Sequence, residues 1–158
     1  MSAITKQMAV QIFDSIKELL DEKEITYDEQ ITDEENYWVT FRYKGEDMSH
    51  SMFINILSDR GVLTLSEVLE FEVTEKHMPA LLDAINRVNA FLMIGSFYYD
   101  GDEHVRFYNP LLFNNSVIAK DTLDELLSRT VSIVEQFDDR FAAVNKGYLS
   151  PQAILGED

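Results

Sequence analysis

Residues 37–44 read YWVTFRYK. Tyr37, Val39, Phe41 and Tyr43 alternate with Trp38, Thr40, Arg42 and Lys44, the period of two expected of a strand with one buried face. Lys44-Gly45-Glu46-Asp47 follows with turn chemistry, and residues 51–57 (SMFINIL) return as the second strand of a hairpin. Asp59-Arg60-Gly61 turns the chain again, and over residues 62–73 Leu63, Leu65, Leu69, Phe71 and Val73 share one parity. These runs predict an antiparallel meander. A further short, acidic strand is expected over residues 25–30.

Helical periodicity surrounds the meander. Residues 2–22 place Met8, Ile12, Ile16, Leu19 and Leu20 on one stripe. Thr74 is placed to cap a second helix with the stripe Met78, Leu81, Leu82, Ile85 and Val88. Two more strands, residues 92–99 and 103–108, flank Asp100-Gly101-Asp102, a hairpin signal, and Asn109-Pro110 is expected to stop the second. The longest helix is predicted over residues 121–146, with Leu123, Leu127, Val134, Phe137 and Phe141 inward and Gly147 at its end. The order is α-β-β-β-α-β-β-α, with a fourth early strand left open. It predicts an α+β fold, an antiparallel sheet with helices on one face, in a single domain spanning residues 1–158.

Composition narrows the function. The chain has 158 residues, 46% of them hydrophobic and 11% aromatic, material enough for a continuous core. Thirteen basic against 29 acidic residues give a formal net charge of -16. Nucleic acid and anionic membranes are therefore not expected as partners, because both demand a basic surface. A protein partner is expected instead, and the field favours a basic one. With no cysteine there is no disulfide, thiolate nucleophile or Cys-ligated zinc. Neither a signal peptide nor a membrane-length apolar run is visible, so the expected location is cytoplasmic and the Asn114-Asn115-Ser116 sequon carries no glycan.

Ile85-Asn86-Arg87-Val88-Asn89, a following strand, the turn Tyr99-Asp100-Gly101, another strand, and the closing Ser150-Pro151-Gln152-Ala153-Ile154 occur in that order. With the order of elements, this pattern resembles the YbjN-like family, which shares the fold of type III secretion chaperones, over nearly the whole chain. The resemblance marks Asn86, Asn89, Gly101 and Pro151 as fold markers. It implies a regulatory role without a common biochemical activity. It also implies an acidic, dimeric protein that holds extended client segments against its sheet.

No catalytic constellation is found. Nucleophile elbows and glycine-rich phosphate loops are missing, and Gly totals only 6. His50, His77 and His104 lack the spacing of a helical metal pair, and Asp100-Gly101-Asp102-Glu103-His104 lacks calcium-loop spacing. No metal, cofactor or catalytic residue is therefore assigned. Asn86 and Asn89, three apart on a helix, fit a cap or a bond to the next strand better than a ligand contact. The acidic run at residues 21–35 reads chiefly as solvated surface. Trp38, Thr40 and Arg42 lie on the polar side of their strand, and an aromatic there is either covered by a helix or exposed at an interface. They are the candidate partner-binding residues. The expected function is a non-enzymatic protein-binding module, chaperone-like or regulatory, acting as a homodimer. The alternative is a small-ligand domain or enzyme with a pocket between sheet and helices, lined by Tyr98, Arg106 and Tyr108.

Overall fold

The computed structural model describes residues 2–156. Helix α1 (Ala3–Glu22) starts where the Ser2 hydroxyl accepts the Thr5 N–H at 3.1 Å, and it buries Met8, Ile12, Ile16, Leu19 and Leu20 as its stripe requires. Four strands follow: β1 (Asp28–Ile31), β2 (Tyr37–Lys44), β3 (Ser49–Leu57) and β4 (Val62–Val68). Helix α2 (Met78–Phe91), strands β5 (Ser96–Tyr99) and β6 (Val105–Leu112), and helix α3 (Lys120–Asn145) complete the order. The acidic segment thus does form a fourth early strand, shifted toward Ile31, at the sheet's edge.

The six strands pair antiparallel in the order β1-β2-β3-β4-β6-β5. Register places Val39, Ile54, Leu65 and Asn109 in one row, and Phe41, Met52, Glu67, Phe107 and Phe97 in the next. All are buried beneath the helices, which cover this face alone. One part of the core packs α1 and the first half of α3 on β2 and β3. The other gathers α2, the second half of α3 and the β5/β6 hairpin around Phe97, whose ring centroid lies 4.9 Å from those of both Phe107 and Phe141. The tail closes this second part: a short turn at Pro151–Ala153 presents Ile154, fully buried, while Arg140 donates to the Ile154 carbonyl at 3.0 Å.

Three local expectations are corrected. Strand β6 runs through Asn109-Pro110 to Leu112. Phe113 N–H bonds Gly61 O, so odd-numbered N–H groups point at β4, and Pro110's ring nitrogen faces the side where β5 has already ended. Strand β4 stops at Val68, and the following residues are tethered to β6 only at intervals, Leu69 N–H to Val105 O and Val73 N–H to Glu103 O. Thr74 makes no side-chain cap, because its hydroxyl donates to Asn145 O at 3.1 Å; a single turn, Glu75–His77, leads into α2 instead.

Candidate functional site

The sheet face away from the helices carries the side chains of opposite parity. Trp38, Asn55, Thr64 and Pro110 form one row, Thr40, Phe53, Ser66, Tyr108 and Ser96 a second, and Arg42, Ser51, Val68, Arg106 and Tyr98 a third. Trp38, Tyr98 and Tyr108 remain 38%, 42% and 38% exposed, and Phe53 is half-buried among them. The sequence-predicted trio Trp38, Thr40 and Arg42 is therefore displayed together on this uncovered face. Thr40, Arg42, Ser51 and Phe53 line a groove of about 480 Å³ bounded by Tyr27 and Asp28. Arg42 is held only loosely, 3.5 Å from Glu70 with most of its side chain in solvent. Trp, Tyr, Phe and Arg, the residue types displayed here, are enriched at protein interfaces in general.

Tyr98, Arg106 and Tyr108 also belong to this open face, so they line no pocket between sheet and helices. Arg106 is engaged there, donating to Asp100 Oδ2 at 3.0 Å.

The covered face holds a polar cluster that sequence reasoning missed. His50 and Glu67 are inward residues of β3 and β4, and Asp138 faces them from α3; none is more than 1% exposed. Tyr43 donates to Glu67 Oε1 at 2.6 Å and stacks on the His50 ring at 5.0 Å. Burial pushes Glu67 up to about 7, against the Tyr43 hydroxyl and His50, which favour its charged form. Burial and the Glu67 charge raise the Tyr43 phenol, so it stays a donor. For His50, burial opposes protonation, but Asp138, Glu67 and Glu135 outweigh it and raise its pKa. Beside the cluster, a cleft of about 440 Å³ opens between α1, β2 and α3, walled by Leu20, Ile25, Phe41, Leu127 and Val131 with Lys23, Tyr43, Ser128, Ser132 and Glu135 as polar members.

The four residues read as fold markers differ in what they do. Asn89 brackets β5, its Nδ2 donating to Phe97 O and its Oδ1 accepting Phe97 N–H, both at 2.8 Å. Asn86 is exposed on α2. Gly101 sits at φ +83°, which the β5/β6 turn requires, and Pro151 opens the tail turn. That turn is longer than a two-residue Asp-Gly turn: Asp100 Oδ1 accepts the N–H groups of Asp102, Glu103 and His104 and organises the whole connection. In the acidic run, Glu22, Glu29 and Glu35 make surface pairs with Lys120, Lys17 and Lys6.

No helix among the described residues is long and apolar enough to cross a membrane. No curated protein matches the chain in sequence. Among solved structures it is similar to the crystal structure of YbjN from E. coli, described as a putative transcription regulator, at a TM-score of 0.59 and 10% identity over 83% of this chain and 90% of that one. At that identity the likeness speaks for the fold. The sequence model of the YbjN family, described as "Putative bacterial sensory transduction regulator", matches residues 13–143. With the expected strand–helix order also in place, the chain belongs to the YbjN family.

Proposed function

We propose that this chain is a non-enzymatic regulator that acts by protein contact, docking its partner on the helix-free face of the sheet. The observation that carries the reading is the row-by-row display of Trp38, Phe53, Tyr98 and Tyr108 on a face no helix covers. The few residues that dominate binding at protein interfaces are enriched in Trp, Tyr and Arg, and a sheet presents them without reorganisation. The net charge of -16 favours a basic partner and disfavours nucleic acid. A regulator of transcription with this charge would work through another protein.

The reading extends to a cytoplasmic, single-domain protein that forms a homodimer. Phe91 and Met93, 58% and 99% exposed in and after the last turn of α2, offer apolar surface for a second copy. Sedimentation equilibrium tests this element, with a dimer expected and a monomer at every concentration against it.

The docking face is tested by native capture from the lysate of the protein's own cells. The Trp38→Ala/Tyr108→Ala double variant, which leaves the covered core intact, is expected to lose proteins that the wild type retains. Equal capture by both forms would refute the assignment.

A second reading is favoured by the cleft between α1, β2 and α3, whose apolar walls and Glu135 carboxylate, with Lys23, Tyr43, Ser128 and Ser132 also lining it, suit a small apolar amine. A screen of such amines by thermal shift is expected to raise Tm if the cleft is a ligand site. No shift with any amine would discard it.

A further inference from the structure

Titratable side chains from β3, β4 and α3 meet where the helix layer rests on the sheet. His50, Glu67 and Asp138 are each at most 1% exposed. His50 Nε2 stands 3.0 Å from Asp138 Oδ2, and its Nδ1 lies 3.9 Å from Glu67 Oε2. Tyr43 on β2 donates to Glu67 Oε1, while Glu67 Oε2 has no hydrogen-bond partner. Further acids adjoin the cluster: Glu135 and Asp139 on α3, and Asp47 at the hairpin tip, whose carboxylate comes within 4.8 Å of those of Asp138 and Asp139. Among the described residues, no Lys or Arg forms a salt bridge with any of these carboxylates. The basic residues of the same elements are engaged elsewhere. Arg42 and Lys44 belong to the opposite parity of β2, Lys23 pairs with Asp124, and Arg140 donates to the Ile154 carbonyl.

A charge held in the interior without a partner is strongly destabilising. His50, Glu67 and Asp138 are together neutral when the Asp138 carboxylate faces a protonated His50 and Glu67 carries its proton. Each proton lost adds a negative charge that no cationic side chain offsets. The seam cannot absorb that charge by small adjustments. A Cβ on Gly45 would lie 2.8 Å from each of His50 Nε2, Glu135 Oε1 and Met48 O, so the hairpin backbone already touches the helix side chains. Relief comes only by parting the β2/β3 hairpin from α3, which lets water reach the carboxylates.

We propose that His50, Glu67 and Asp138, with Tyr43, form a proton-dependent latch that fastens α3 to the β2/β3 hairpin and loosens as its protons leave. Burial drives the rise of Glu67 to about 7; in His50 burial works the other way, and the surrounding carboxylates overcome it. Both groups are thus raised, and the folded chain holds protons that the unfolded chain has released. The latch stabilises fully below the ordinary Glu range, and its contribution is lost as pH rises through about 7. Because the sites interact, the loss follows the cluster as a unit rather than one residue. The latch lies on the covered face, away from the docking face.

Urea midpoints and amide exchange, read by mass spectrometry and corrected for the intrinsic rate, are followed between about pH 5 and about pH 8. In the wild type the midpoint is expected to fall across this window. Opening of residues 43–52 and 132–141 is expected to rise at least about tenfold, the change that one linked proton produces over one pH unit, while residues 78–91 change less. Glu67→Gln, a neutral isostere that still accepts from Tyr43, should keep the acid-side stability and lose most of the pH dependence. If that variant fails to fold, the His50 ring decides in the wild type. Its NMR titration, assigned through contacts with Tyr43, should give a midpoint above the ordinary histidine value of about 6.5. A wild type that is flat across the window overturns the proposal, as does Glu67→Gln with the full wild-type fall, or a His50 midpoint at or below the ordinary value. Exchange that rises equally in all segments overturns the latch, because the proton dependence then belongs to the whole fold.

Discussion

Asn89 holds the strand that follows its own helix, bonding both the N–H and the C=O of Phe97 at 2.8 Å. Asn89→Ala would leave both backbone groups without a partner, and a loss of about 1–3 kcal/mol is expected in urea unfolding. This role could be anticipated from sequence, because an amide at a helix end next to a strand has few other tasks. Asp100 shows a charge effect at the same scale. Burial opposes ionisation, but the backbone N–H groups of Asp102, His104 and Glu103 and the Arg106 guanidinium together hold its carboxyl well below the usual range. A folded-state pKa below the unfolded one stabilises the protein above the ordinary Asp range and is lost as pH falls through the folded value. Stability to urea should therefore fall less steeply below about pH 4 in Asp100→Asn than in the wild type. An identical acid limb in both would contradict the assigned bonds. By contrast, His50 and Asp138 gave no readable signal. Their partners lie on elements far apart in the chain, and Asp138 stands beside Phe137 in a stripe read for its apolar members.

Elements were legible wherever burial on one side imposed a period. The stripe of α1 is buried throughout, and in β2 Tyr37, Val39 and Phe41 are buried while Trp38, Arg42 and Lys44 are exposed, with Thr40 and Tyr43 in between. Boundaries were less legible, because they depend on neighbours. Pro110 is tolerated since β5 is shorter than β6, a fact of pairing rather than of local chemistry. Thr74 gives up its capping role because Asn145, 71 residues away, takes its hydroxyl. The second half of the core rests on the ring cluster joining β5 to α3. Phe97→Ala should cost about 3–5 kcal/mol, read from the urea midpoint, because the surrounding Phe107, Phe137 and Phe141 rings cannot collapse into the space. A loss under about 1 kcal/mol would mean that this packing is not what fastens β5.

For the whole molecule, the one-sided covering of the sheet follows from strands that alternate apolar and polar residues, and it leaves an aromatic face in water. That Trp38, Thr40 and Arg42 share this face with Phe53, Tyr98 and Tyr108 was not visible in the sequence, since register across β3, β4 and β6 decides which parities align. Net charge predicts that a captured partner binds more weakly as salt rises, chiefly through slower association. Trp38 is the chain's single tryptophan and lies on the proposed docking face, so its fluorescence reports on that face alone. The most direct measurement is acrylamide quenching of Trp38 with and without the captured partner, using a partner whose own tryptophans are replaced. The account predicts a blue-shifted emission and a marked fall in quenching on binding. A complex that forms while Trp38 stays as accessible as in the free protein would contradict it.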